Sequence, residues 1–202
     1  MSAVEKAAPV VTLPVIGQAY GGGFVTGITN DPDTGKRYLN ITAGAEHEFS
    51  MAWGKRGALI EGADSFTDGR ANTEAMAAAG CEGAQKVLGL IIGGFSDWAI
   101  PARDQQELQY RNLKPGTDAN YCWGRDGDNP NSLPIGKLYT EDSPTQTTVE
   151  AFKVGGPEAF QERAYWSSSQ RSAYGAFGVI FDDGYQCIQR QGLRAPRPPR
   201  PQ

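Results

Sequence analysis

Two phrases decide the reading of this chain. One is Asp97-Trp98-Ala99-Ile100-Pro101 followed by Glu107-Leu108; the other is Tyr165-Trp166-Ser167-Ser168-Ser169 followed by Phe181-Asp182-Asp183-Gly184. Trp98 and Trp166 read as core indoles, since so large an apolar ring is covered wherever a fold can cover it. Pro101 sets a turn ahead of a helix. Asp97 reads as a cap or bridge of its loop. The three serines read as hydrogen-bonding partners of neighbouring loop backbone. On this reading the phrases mark a fold, and function resides on the surface around them.

Working outward, a helix is predicted from about Ala102 to Leu113, with Asp104 and Glu107 in its N-terminal half, Arg111 near its end and Pro115-Gly116 as its stop. Upstream, Gly69 to Leu90 has helical character: Asn72 or Thr73 can cap it, Glu74 suits its first turn, and Gly80 breaks or bends it. Phe24–Thr29 and Arg37–Thr42 flank the turn Asn30-Asp31-Pro32-Asp33-Thr34-Gly35 as a hairpin. Gly21-Gly22-Gly23 before it calls for unusual backbone angles or close approach. Residues 43–70 read as loop, with the alternation Phe49, Met51, Trp53 as one further strand. Ala164–Ser168 reads as a strand, and Ala176–Phe181 with Tyr185–Arg190 as a hairpin around Asp182-Asp183-Gly184; period two puts Phe177, Val179 and Phe181 on one face. Between these, Lys114 to Pro157 is long, polar and turn-rich, which reads either as a functional loop or as disorder.

The chain has 202 residues, 39% of them hydrophobic, enough for one good-sized domain. A net charge of −4 offers no footprint for nucleic acid or an anionic membrane. The 26 glycines and 13 prolines point to a loop-rich fold. Cys81, Cys122 and Cys187 lack zinc or thioredoxin spacing. They read as buried or semi-buried thiols in a reducing compartment, or as one bridge plus a free thiol. No apolar run is long enough to span a membrane. Met1–Gly17, broken by Pro9 and Pro14, is a poor signal peptide, so folding in the cytoplasm without export is expected. Residues 1–16 read as an arm, 17–193 as the domain and 194–202 as an Arg/Pro tail.

Catalytic patterns are sparse. His47 is the single histidine, so any Ser-His-Asp or Cys-His site must use it; in Glu46-His47-Glu48 it reads as a solvated or core-edge residue. No phosphate loop follows the glycine triplet. Asp126, Asp128, Asn129, Asn131, Glu141 and Asp142 offer oxygen ligands for a structural calcium, but Pro130 breaks the EF-hand pattern and a plain polar loop is the preferred reading. Carboxylates are numerous, yet no spacing selects a glycosidase pair. The expectation is a protein without catalytic residues and without a cofactor.

The two phrases, together with Tyr20-Gly21-Gly22-Gly23-Phe24-Val25, Gly35-Lys36-Arg37-Tyr38-Leu39 and Gly69-Arg70-Ala71-Asn72-Thr73, resemble the DUF1566 (Lcl C-terminal-like) group of domains. The likeness runs from Gly17 to about Arg197. It implies an α+β, C-type-lectin-like fold: two helices packed on small antiparallel sheets with long irregular loops. Such domains are found in phage tails and bacterial surface proteins, and relatives of the fold include the variable proteins of diversity-generating retroelements. The resemblance therefore implies a non-catalytic virion protein of a tail tip or fibre, assembled in the host cytoplasm, binding a host surface glycan or protein during adsorption. It also implies other virion proteins as partners, a homo-oligomer, and neither nucleic-acid binding nor membrane insertion. The alternative is a structural virion component (decoration, collar or baseplate) docking on other virion proteins. Carried onto this sequence, the binding face comprises Ser169, Gln170, Arg171, Ser172 and Tyr174, then Gln186, Gln189 and Gln191, rimmed by Tyr121, Trp123, Arg125, Asp126, Asn129 and Asn131. These residue types suit recognition: aromatic rings supply rigid area, amides and Arg adaptable hydrogen bonds.

Overall fold

The computed structural model describes residues 14–191, with the side chains of 187–190 left aside. Most of the arm expected at 1–16, and the tail expected at 194–202, lie outside the described residues. The protein is α+β. In chain order the elements are β1 (Ala19–Tyr20), β2 (Gly23–Asn30), β3 (Arg37–Thr42), α1 (Gly69–Ala78), α2 (Glu82–Leu88), α3 (Arg103–Leu113), β4 (Ser132–Leu133), β5 (Ala164–Ser172), β6 (Gly175–Ile180) and β7 (Gln186–Arg190). Single 3-10 turns cover Ala45–His47 and Glu150–Phe152.

The described residues form two small antiparallel sheets. In the first, β1, β2 and β3 lie in that order and β4 also pairs with β2; in the second the order is β5-β6-β7. The β2–β3 hairpin closes where expected: Asp31 Oδ1 accepts from the Asp33 amide at 2.9 Å, Oδ2 accepts from the Thr34 hydroxyl at 2.6 Å, and Gly35 takes φ +67°. The glycine triplet is explained by close approach. A Cβ on Gly22 would lie 2.6 Å from the Ile92 carbonyl oxygen, and one on Gly23 would lie 2.2 Å from that of Thr42.

The helical region at 69–90 is two helices, so the described residues hold three α-helices rather than two. Gly80, at φ +85°, ends α1, and the chain turns through Cys81 before α2 begins. The cap of α1 is Asp68, whose carboxylate accepts from the Ala71 amide at 2.8 Å; Asn72 and Thr73 lie inside the helix, buried.

Residues 49–53 form no strand. Trp53 is instead the fully buried indole of one core cluster, with Ile60, Met76, Ala84, Val87, Ile100 and Ala176. Its Nε1 donates to the Ser167 carbonyl at 2.7 Å. Trp98 and Trp166, expected as the central indoles, are half-buried at the edge of this cluster. A second cluster joins Tyr110 of α3 to Tyr139, Val179 and Phe181, with Phe160 and Tyr165 packed against it. Phe177 parts from Val179 and Phe181: it packs edge-on against Phe66, with the Arg103 guanidinium over both rings.

Among the described residues no helix is long and apolar enough to cross a membrane. Cys81 is buried, and its burial pushes the thiol pKa up; Cys122 is exposed, against the expectation of a semi-buried thiol. The Cys187 side chain lies outside the described residues.

Candidate recognition surfaces

The long segment after α3 has little regular structure, so its backbone polar groups need other partners. Two buried polar hubs supply them. The first is built on α3. Glu107 accepts from the Tyr139 hydroxyl at 2.8 Å and from Asn129 Nδ2 at 2.7 Å, and pairs with Arg111 at 2.7 Å. Asn129 also donates to the Asp104 carbonyl at 2.8 Å, while the Asp104 carboxylate accepts from Asn131 Nδ2 at 2.8 Å and pairs with Arg103 at 2.9 Å. Arg111 reaches over to the carbonyls of Gly127 and Lys137, at 2.5 and 2.8 Å. Burial raises the pKa of both carboxyls, against the opposing pull of Arg103 and Arg111.

The second hub is Lys114, buried despite its charge. Its Nζ donates to the Asp118 carbonyl at 2.5 Å and to Asn120 Oδ1 at 2.8 Å. Asn120 Oδ1 also accepts from the Tyr110 hydroxyl at 2.8 Å, and its amide donates to the carbonyls of Thr140 and Pro144 at 3.0 and 2.9 Å. Each hub works as a clamp, because removing one member leaves a buried polar group unpaired.

The serine phrase is a third stitch. Ser167 Oγ donates to the Phe177 carbonyl at 3.0 Å, Ser168 Oγ accepts from Asn72 Nδ2 at 3.2 Å, and Ser169 Oγ donates to the Ser65 carbonyl at 2.6 Å while accepting from the Arg103 amide at 2.9 Å.

The residues expected to form one binding face separate accordingly. Ser169, Gln170 and Asn129 are buried and committed to internal hydrogen bonds, so they are corrected from ligand contacts to scaffold. Gln170 ties the loop at 58–60 to β5, accepting from the Ile60 amide and donating to the Ala58 carbonyl, both at 2.8 Å. Gln191 is likewise buried. Asn131 and Gln186 are half-buried, the first bonded to Asp104, the second accepting from Arg103 at 3.3 Å. Asp126 is buried, one oxygen accepting from the Gln186 amide at 3.3 Å and the other unpartnered; burial pushes its pKa up to about 6. Gln189 is placed in β7 opposite Ala176, and its side chain lies outside the described set.

The remaining residues of the expected face fall into two patches. Tyr121 stacks edge-on against Tyr185, ring centres 4.5 Å apart, and its amide donates to the Asp183 carbonyl at 2.7 Å. Trp123, 74% exposed, and Arg125, ion-paired to Asp128, follow on this loop. Arg171 and Tyr174, the latter 63% exposed, lie at the β5–β6 turn, where the Tyr174 carbonyl accepts from the Gln191 amide at 3.1 Å. Five residues of strand separate Gln186, beside the Trp123 loop, from Gln191, beside Tyr174, which is about 16 Å. Trp123 and Tyr174 therefore stand at opposite ends of the β6–β7 hairpin and do not share a contact surface.

Sequence reasoning missed a groove of about 920 Å³. It lies between β3, the loop through His47 and Glu48, the start of α1, the Phe95–Pro101 segment and the start of β5. Tyr38, Phe95, Trp98 and Trp166 give it aromatic walls. Glu48 is paired with Arg163 and accepts from the Tyr165 hydroxyl at 2.9 Å; Arg70 is paired with Glu74 and donates to the carbonyls of Ser96 and Trp98, both at 3.3 Å. His47 sits half-buried in the wall, Nε2 3.5 Å from Glu46. Asp97, expected to cap or bridge its loop, is exposed and has no hydrogen-bond or ion-pair partner among the described residues. The available signal was the Asp97-Trp98 phrase itself. Among the described residues no group of three His, Cys, Asp or Glu is placed to hold a metal ion.

No protein-family model, curated protein or solved structure matches this chain.

Proposed function

We propose that this protein is a non-catalytic recognition domain of C-type-lectin-like type, acting on a phage virion at a tail tip or fibre and binding a host surface glycan or protein. One observation supports this above the others: Trp123 is 74% exposed at the tip of a loop whose base is clamped by Glu107, Asn129 and Asn131. Exposing an indole costs solvation free energy, and clamping the loop beneath it removes the ordering entropy that binding would otherwise incur. Tyr121 and Arg125 adjoin it and supply a rigid ring and a cation. The virion setting and the lectin-like assignment come from the resemblance to DUF1566 domains. Several copies on one particle would turn a weak single contact into firm attachment.

The test is adsorption of purified protein to host cells. Trp123→Ala should lower bound protein at least tenfold while changing unfolding free energy by less than about 0.5 kcal/mol, as for other exposed positions. Equal adsorption by the variant overturns the placement of the site at this loop. No adsorption by the unsubstituted protein favours the structural virion role instead.

A further inference from the structure

The aromatic groove has a chemistry that the loop reading does not use. Tyr20, Tyr38 and Phe95 along it are 52, 46 and 49% exposed, a concentration of rings that soluble surfaces seldom leave uncovered. Five carboxylates but only two arginines line it. Two of the carboxylates are paired, Glu48 with Arg163 and Glu74 with Arg70. Asp68 caps α1 and Asp31 closes the β2–β3 turn, so Asp97 remains as an exposed negative charge with no internal role. The groove is thus an aromatic trough with excess negative charge.

We propose that this groove receives an arginine- and proline-rich segment of a second copy of the chain, the composition found at Arg194–Gln202. A polyproline II helix repeats every three residues and needs no internal hydrogen bonds. Arg194, Arg197 and Arg200 follow that period, as do Pro196 with Pro199 and Pro198 with Pro201. Such a segment presents guanidinium groups along one edge and pyrrolidine rings along the other two. Aromatic-lined grooves take polyproline II ligands by packing prolines between rings, at low ordering cost. The guanidinium groups meet Asp97 and can stack on Tyr38 or Phe95. A donor in another copy can lay all three arginines along the groove. Gln191 is bonded at the β5–β6 turn, whereas the β5 flank of the groove is Ala164–Trp166. Six residues of strand between Trp166 and Ser172 span about 20 Å. Arg194, three residues past Gln191, extends no more than about 10 Å, so within one molecule only Arg197 and Arg200, at about 20 and 30 Å of extended chain, come within reach of that flank.

The test uses the full chain carrying R194A, R197A and R200A as receptor, titrated with a labelled peptide of residues 192–202 and followed by fluorescence anisotropy. Saturable binding is expected. It should weaken at least tenfold with Phe95→Ala, with Asp97→Asn and with a peptide whose three arginines are alanine, while thermal unfolding of the receptors is unchanged. Sedimentation of the unsubstituted chain should show mass rising with concentration, and Phe95→Ala should abolish the rise. The proposal is overturned by absence of saturable binding, by binding indifferent to Phe95→Ala and Asp97→Asn, by a monomer at every concentration, or by chitohexaose occupying the groove while the peptide does not. Neither substitution touches the Trp123 loop, so this failure and loss of host adsorption are separable results.

Discussion

Replacing Glu107 with alanine tests whether the α3 hub holds the long loop. The carboxylate accepts from Tyr139 at 2.8 Å and Asn129 at 2.7 Å and pairs with Arg111 at 2.7 Å, and its side chain is 1% exposed. Truncation leaves three donors facing a cavity, one of them a guanidinium that is itself mostly covered. Breaking a buried pair by removing one partner costs roughly 3–5 kcal/mol, and that range is expected for Glu107→Ala. Glu107→Gln keeps the volume but turns one oxygen into a donor aimed at another donor, so a smaller loss of about 2 kcal/mol is expected. Urea unfolding followed by tryptophan fluorescence measures both, since Trp53 at 0% exposure reports on the core. Limited proteolysis supplies a local reading: cleavage between residues 121 and 128 should accelerate in the alanine variant before global unfolding does. A loss below about 1 kcal/mol with unchanged cleavage would refute the clamp, because the three donors would then have found water or new partners at no cost.

Two further outcomes follow from geometry. Gly184 sits at φ +74° with its would-be Cβ 2.3 Å from the Tyr110 ring, so Gly184→Ala should cost about 3 kcal/mol through strain and overpacking and lower the midpoint of thermal melting. Asp126 has its pKa raised to about 6 by burial, so the folded protein holds a proton that the unfolded chain has released; stability should fall as pH rises from about 4 to about 6, by up to about 3 kcal/mol, and Asp126→Asn should flatten that part of the urea-midpoint profile.

The hairpins and α3 were legible because their signals are local: turn residues at Asp31 and Gly35, alternation through β6, and Pro101 ahead of the helix. The split at Gly80 was half legible, since a glycine can bend a helix or end it, and only the burial of Cys81, Ala84 and Val87 in the first core cluster settles which. Trp53 was not legible as the central indole. It lies in a loop with no periodicity, and its place is decided by the Ser167 carbonyl more than a hundred positions away. The buried amides and serines misled for a related reason. Asn129, Ser169 and Gln170 are polar residue types that composition assigns to the surface, whereas in a loop-rich fold the irregular backbone draws such groups inside as hydrogen-bond partners. The i,i+4 spacing of Glu107 and Arg111 was the one available hint of the hub, and it reads equally well as an ordinary solvated helix pair.

The separation of the two hubs has a bearing on what this scaffold could be made to carry. Asn120 is fastened on one side and Asn129 on the other, while Cys122, Trp123, Gly124 and Arg125 between them are exposed and contribute nothing to either fastening. Those four positions form a cassette: apart from Gly124, whose φ of +63° disfavours a side chain, its letters, and within limits its length, can be exchanged without disturbing the folded body, because lengthening a closed loop adds only about 0.6 kcal/mol per doubling. Grafting foreign peptides at this point, or randomising it for selection, is the use to which such an anatomy lends itself.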